Sequence, residues 1–331
     1  MYNYVIFNDS FKELDELFYS DIKDYSNVYI INRSNIFRSK YINMIFRIHL
    51  SHSLNSKIKL PFKSIWYKFL FNNRFTNDNE LCFIFTAGWY HPGFYKYLKK
   101  KYKKSKFVFY FSDTVESKLR AIPELSVQYL KKQFDLVLSY NYEDVKKYEL
   151  KYTSIYYSKM SDSILKTIPK FESVDVLFIG AARNRLDIIR KAYAKLINAG
   201  LSCYFFVVSD QTLEAYNDGI YYSSKAMPFK EYLGRTISSK CILEIVDTKT
   251  TGGTLRFWEA IMYDKKLITN YKYTKDSKFY NPKSIHYYSS IEDINPTFAT
   301  NGHDVSHNYN NENSPIYFLE LIDEYLSKQK R

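Results

Sequence analysis

Cysteine is nearly absent from this 331-residue chain. Cys82, Cys203 and Cys241 stand far apart in strand-like runs. An odd, sparse count with no Cys-x-x-Cys spacing excludes a disulfide framework and a thiolate metal site. Long apolar runs are missing too: none approaches the roughly 18 residues a membrane-spanning helix needs. Residues 1–10 have no basic n-region and only a short apolar stretch, so they do not read as a signal peptide, and the chain is expected to be cytosolic. No repeat of 20–50 residues is visible, which excludes a solenoid. Glycine is scarce at 9 residues. Acidic residues are missing locally, with no Asp or Glu between positions 25 and 77.

What is present is ordinary in two respects, with 46% hydrophobic and 25% charged residues, so disorder is not expected. The length predicts two domains, each large enough for its own core. Aromatics are unusually many, with 34 Tyr, 25 Phe and 3 Trp, 19% of the chain. Beside abundant Lys, Asn and Ile this looks in part like the bias of AT-rich coding sequence, so each tyrosine is not read as functional. The net charge of +13 is uneven: residues 1–106 hold 18 basic against 8 acidic side chains. Arg33, Arg38, Lys40, Arg47, Lys57, Lys59, Lys63, Lys68 and Arg74 form one cluster, and Lys96, Lys99–Lys101, Lys103, Lys104 and Lys106 a second. Large side chains such as Phe37, Tyr41, Ile45, Trp66, Phe69 and Tyr97 are interleaved with them. This mixture suits an anionic membrane surface. A solvated face is the bland alternative, and nucleic acid is disfavoured because no dedicated motif accompanies the charge.

Short apolar runs alternate with helix-like segments along the whole chain. Strands are predicted at 2–7, 28–32, 81–86, 107–111 and 136–140, then at 174–179, 203–208, 241–246 and 266–269. Helices are predicted at 11–19, 36–50, 94–104, 116–132 and 142–150, then at 185–199, 229–239, 254–263 and 316–326. Such alternation predicts an α/β fold of βα units on parallel sheets covered on both faces. Residues 156–173 lack periodicity and hold Pro169, which places the boundary there. The expectation is an N-terminal α/β domain over 1–160 and a C-terminal α/β domain over 161–331, the last helix packing back on the body.

Residues 242–270 read ILEIVDTKTTGGTLRFWEAIMYDKKLITN. A strand runs into a polar loop, and Gly252-Gly253-Thr254 opens a helix. Glycines allow close approach of backbone to ligand, and a helix N-terminus attracts phosphate. Thr251 or Thr254 could cap that helix or bond a phosphate oxygen. Leu255, Trp258 and Met262 are expected to form its buried face, with Arg256, Glu259 and Tyr263 on another. A plain glycine turn with an i,i+3 surface ion pair would explain the same letters.

The window resembles the donor-binding segment of GT-B glycosyltransferases, in particular bacterial enzymes of capsular, exopolysaccharide and O-antigen synthesis. The resemblance rests on Thr251-Gly252-Gly253-Thr254-Leu255-Arg256, Glu259-Ala260, residues 265–270 (KKLITN) and Phe279-Tyr280-Asn281-Pro282. It implies two Rossmann-like domains facing a cleft, the N-terminal one binding acceptor and the C-terminal one the nucleotide. It implies that Glu259 holds a nucleotide ribose while Thr251, Gly252, Gly253, Thr254 and Arg256 hold the diphosphate. It also implies donor contacts from Gly180 and Arg183 in the first turn of the C-terminal domain, and a base contact at Met227. The donor would be a nucleotide-sugar, a UDP-sugar being favoured, with no cofactor and no metal. The acceptor would be a saccharide, lipid-linked, at the inner face of the cell membrane.

One position departs from the family. Eight residues before Glu259 stands Thr251 where many retaining members carry Glu, so retention and inversion both stay open. An inverting enzyme needs a base in the N-terminal domain. Asp113 and His91 each follow a strand, though Asp113 could equally cap a helix and His91 sit in a turn. His303 and His307 lie in an Asn-rich loop with no third ligand, so no metal is expected there. Epimerisation of the nucleotide-sugar on the same scaffold is the alternative activity, and nucleic-acid binding or a silent assembly partner are the non-enzymatic alternatives.

Overall fold

Runs such as FVFYF and VLFIG build the centres of two parallel sheets, because residues buried on both faces must be apolar throughout. The computed structural model describes residues 2–9, 15–33, 36–71, 75, 80–209, 217–247 and 251–328. The chain divides into two units, Met1–Ser158 with Asn313–Arg331, and Lys159–Glu312.

The first unit holds β1 (Asn3–Asn8), β2 (Val28–Asn32), β3 (Leu81–Thr86), β4 (Lys106–Phe111), β5 (Leu136–Ser139) and β6 (Lys151–Tyr152). Their order is β2-β1-β3-β4-β5-β6, and neighbouring strands run parallel. Every residue of β3 is buried. One face is a layer of aromatic rings, among them Phe7, Phe83, Phe85, Phe107 and Phe109, with Phe83 stacked on Phe107 at 5.2 Å. Much of the aromatic excess is thus core packing. The opposite face, with Tyr4, Ile6, Ile84, Val108 and Leu138, is covered by Phe318, Leu319, Ile322 and Leu326. Those four lie on the helix Pro315–Lys328. This corrects the domain over 161–331: the last helix belongs to the first unit, where it covers a sheet face that would otherwise be open.

The second unit holds β7 (Val176–Ala181), β8 (Cys203–Val208), β9 (Tyr221–Ser223), β10 (Cys241–Glu244), β11 (Lys266–Thr269) and β12 (Ile285–Tyr287). The order β12-β11-β10-β7-β8-β9, parallel between neighbours, is the doubly wound 3-2-1-4-5-6 arrangement. Its chain order reverses between β7 and β10.

Helices depart from the sequence expectation where polar punctuation overrides periodicity. The helix expected over 116–132 is two, Val115–Ala121 and Val127–Gln133, since Pro123 cannot sit in a helix interior. The one expected over 36–50 starts at Lys40, where the Ser39 side chain accepts from the Ile42 amide. Further helices follow at His52–Lys57 and Ser64–Phe71. Of the helix expected over 11–19, Asp15–Tyr19 forms, and residues 11–14 lie outside the described ones. The edge strands β6, β9 and β12 are too short to leave a pattern. Cys82, Cys203 and Cys241 are free thiols, and no helix among the described residues is long and apolar enough to cross a membrane.

Candidate functional site

Open parallel sheets bind ligands outside the carboxyl ends of their strands, where the strand order reverses. In the second unit that point lies between Ile179-Gly180-Ala181 and Glu244. Arg256, on the helix Leu255–Met262, reaches across it: Nε and Nη2 donate to the Ile179 carbonyl at 2.8 and 2.7 Å. A Cβ at Gly180 would collide with Arg256 Nη2, so glycine is what lets the guanidinium cross the end of β7. Arg185 donates through Nη2 to the Ala181 carbonyl at 2.8 Å and through Nη1 to the Ile245 carbonyl, while its buried Nε has no partner. Burial, then the neighbouring Arg256 and Arg183, lowers the pKa of Arg185. Arg183 itself sits at φ 47°, in a left-handed conformation rare for a side-chain-bearing residue. Three guanidiniums therefore gather at one strand end, an arrangement suited to a polyanion.

Glu244, fully buried at the end of β10, organises the adjacent helix start. Its carboxylate accepts from the Thr254 and Thr269 hydroxyls and from the Phe257 amide. Burial pushes its pKa up against those hydrogen bonds. Thr254 occupies the N-cap position of the helix but makes no side-chain cap bond; Glu244 takes its hydroxyl and caps from the strand instead. Sequence reasoning overlooked Glu244. Its one signal was an acidic letter inside the apolar run ILEIV.

The other residues expected to face a donor are placed as follows. Thr251, Gly252 and Gly253 are buried; the Thr251 carbonyl accepts from Tyr271 Oη at 3.1 Å. A Cβ at Gly253 would stand 3.2 Å from Trp258 Nε1 and 3.3 Å from Phe257 Cδ1, so a side chain here would press on the first helical turn. Residues 248–250 of the same loop lie outside the described ones. Glu259 is buried and accepts a hydrogen bond from Tyr232 Oη, on the helix Phe229–Ser238. Met227 is half-buried just ahead of that helix. The expected buried face needs correcting: Phe257, Glu259, Ala260, Ile261 and Met262 are buried, whereas Leu255 and Trp258 are half-buried.

In the first unit, Asp113 accepts from the Thr114 amide at 2.8 Å and from Ser117 Oγ at 3.2 Å. Both carboxylate oxygens thus serve the first turn of Val115–Ala121. His91 is the N-cap of the helix Pro92–Lys101, its Nδ1 accepting from the Gly93 amide at 3.2 Å. Tyr67 Oη lies 2.9 Å from Nδ1 and Lys63 Nζ 3.3 Å from Nε2. Burial, then Lys63, pushes the imidazole pKa down to about 4, so it is neutral at pH 7. His91 lines an open cavity of about 470 Å³ with Lys63, Lys96, Lys100, Tyr67 and Tyr97. At the reversal between β1 and β3, Asp9 accepts from the Gly88 amide at 2.9 Å, a strand-end carboxylate that sequence reasoning also overlooked. The Arg33 guanidinium there is taken up by the carbonyls of Gly88 and Leu50. The Asn-rich loop places His307 against Asp264 and the Lys265 carbonyl. Among the described residues no cluster of three His, Cys, Asp or Glu side chains could hold a metal.

No family model and no curated protein matches the chain. Among solved structures it is similar to UDP-N-acetylglucosamine 2-epimerase from Rickettsia bellii, with TM-score 0.47 and 12% identity over 99% of this chain and 98% of that one. An E. coli trehalose-6-phosphate structure bound with UDP-2-fluoro glucose gives TM-score 0.47 and 10% identity, over 98% and 97% of the two chains. A UDP-forming α,α-trehalose-phosphate synthase from Burkholderia xenovorans, in complex with glucose-6-phosphate, gives TM-score 0.44 and 11% identity, over 80% and 84%. Likenesses this distant say nothing of this chain's chemistry, for which its own residues must answer.

Proposed function

We propose that this protein is a glycosyltransferase that takes a nucleotide-sugar, with a UDP-sugar favoured, and passes the sugar to a saccharide acceptor. The observation that carries the reading is the meeting of Arg183, Arg185 and Arg256 with the start of the helix Leu255–Met262 at the β7/β10 reversal. A diphosphate placed there would meet the guanidiniums and the helix dipole together. Glu259, oriented by Tyr232, would take the ribose hydroxyls. Met227 would lie toward the base.

In the transfer an acceptor hydroxyl attacks the anomeric carbon. The bond from that carbon to the diphosphate oxygen breaks, and the nucleoside diphosphate leaves with the electron pair; the proton lost by the acceptor hydroxyl passes to the departing phosphate or to water. The arginines stabilise the charge growing on the leaving oxygen, which is where electrostatic catalysis acts most strongly. We assign acceptor binding to the first unit's cavity, whose lysines suit a phosphate-bearing acceptor such as a lipid-linked saccharide of surface polysaccharide synthesis. His91, with a pKa near 4, is too weak a base to serve well at neutral pH, and we give it an orienting role by hydrogen bond. Asp113 is held by its helix.

Thermal shift with UDP, GDP, dTDP and CMP tests the donor site. A ligand at about 100 times its Kd stabilises by about 2.7 kcal/mol. One nucleotide is expected to shift the protein. Arg256→Ala and Gly180→Ala should each weaken that binding by roughly 10- to 100-fold, the worth of a charge-assisted hydrogen bond. No shift with any nucleotide in the folded protein would sink the reading. Product formation from nucleotide-sugar without acceptor would replace transfer with epimerisation.

A further inference from the structure

The helix Lys40–His49 carries Tyr41, Met44, Ile45 and Ile48 at i, i+3, i+4 and i+7, the spacing by which a helix normally faces a core. Here the stripe faces solvent. Tyr41 is 78% exposed and Met44, Ile45 and Ile48 are each at least 50% exposed, while Phe46 alone in this helix is buried. The helix Ser64–Phe71 repeats the pattern with Ile65 at 61% and Phe69 at 70%, and Phe62, just before it, is 73% exposed. These two helices are locked together. The Trp66 ring packs on Phe46 and Phe37 at 5.5 and 5.6 Å, Phe37 packs on Phe69 at 5.3 Å, and Trp66 Nε1 donates to His49 Nδ1 at 2.7 Å. The exposed rows therefore belong to one fixed platform.

Residues 36–71 also hold Arg38, Lys40, Arg47, Lys57, Lys59, Lys63 and Lys68 and no Asp or Glu. We propose that this platform docks the protein on an anionic lipid bilayer. Its aliphatic and aromatic side chains enter the boundary between headgroups and acyl chains, and its lysines and arginines meet the lipid phosphates. A second copy of the chain does not fit, since a two-fold contact would set seven positive charges against seven. Nucleic-acid phosphates would satisfy the charge but give Ile45, Ile48 and Met44 nothing to bury against.

The second basic cluster is different in kind. Lys99 lies over the Phe107 ring at 5.0 Å, and Lys101 lies over the Tyr102 ring and donates to the Phe71 carbonyl. No large apolar side chain between residues 90 and 110 is exposed. The docking face is thus the first cluster. The inference deepens the lipid-linked acceptor reading and is independent of nucleotide binding.

The test is co-sedimentation of the full chain with phosphatidylcholine vesicles, with and without phosphatidylglycerol. Wild type is expected to bind the anionic vesicles, less so as salt rises. Ile45→Asp with Phe69→Asp, and Lys57→Glu with Lys59→Glu, should each weaken binding by about tenfold or more, while Lys103→Glu with Lys104→Glu changes it by less than about twofold. Phe69→Trp, a mild substitution, should add fluorescence quenching by brominated lipid beyond that of the native Trp66 on the same helix. Equal binding to neutral vesicles, loss through the Lys103/Lys104 pair alone, no added quenching, a dimer abolished by Ile45→Asp, or a preference for RNA over vesicles would each overturn the proposal. A nucleotide thermal shift on wild type separates the two readings: wild type that shifts with nucleotide but binds no anionic vesicles removes docking alone, and wild type that binds them without a shift removes the donor site alone.

Discussion

Glu244 is a carboxylate at a position where the neighbouring strand residues are all apolar, and the surrounding donors explain why it is tolerated. Two hydroxyls and one amide point at it, and a helix N-terminus lies beside it, so its charge is solvated by protein in place of water. Burial still outweighs those bonds and raises its pKa above the ordinary value near 4.5. An acid whose pKa is raised on folding contributes stability that is full below 4.5 and is lost as pH rises through the folded value. Glu244→Gln has no such titration. Its intercept should fall by about 1–3 kcal/mol, since an amide NH2 then faces hydrogen-bond donors. As pH rises from about 4 to 7, its melting temperature should climb relative to wild type. Melting curves that stay parallel across that range would show that the carboxyl is not shifted.

At the level of elements, the last helix, Pro315–Lys328, shows what periodicity conveys and what it does not. Its apolar spacing marks an amphipathic helix in the sequence, but nothing in residues 316–326 says which sheet the apolar face covers, because any parallel sheet presents a similar surface. The answer lies in Tyr4, Ile6, Ile84, Val108 and Leu138, more than 170 residues earlier in the chain. Fully buried Ile322 should therefore be worth about 2–5 kcal/mol to the first unit when cut to alanine, from lost burial plus the cavity left behind. In a Trp258→Phe background the remaining tryptophans, Trp66 and Trp89, belong to the first unit. Urea unfolding followed by their fluorescence should move to lower denaturant in Ile322→Ala. An unmoved midpoint would take the helix off that sheet. The short helices and edge strands were illegible for the opposite reason: pieces such as β6 or His52–Lys57 hold too few residues for any period to emerge.

Across the whole molecule, each unit has one reversal of strand order, between β1 and β3 and between β7 and β10, and topology alone would allow a nucleotide at either. Charge favours the second. The first crevice pairs the Asp9 carboxylate with one guanidinium, Arg33; the second sets three guanidiniums against the buried Glu244 beside a helix start, Arg185 and Arg256 also donating to strand-end carbonyls. The helix side of the second site was legible in the sequence, because Gly253, Thr254, Arg256 and Glu259 are local to one window. On its strand side only the resemblance pointed to Gly180 and Arg183, and Arg185 was missed. The Ile179 carbonyl, Gly180 and Arg185 become neighbours of Arg256 only because the sheet order sets β7 against β10, some 60 residues apart. Hydrogen exchange tests the choice. With the bound nucleotide, amides at residues 179–185 and 251–256 should exchange more slowly, because a diphosphate there would cover the helix start and the turn after β7. Protection confined to residues 8–9 and 86–91 would move the donor to the first unit and leave the arginine cluster without a ligand.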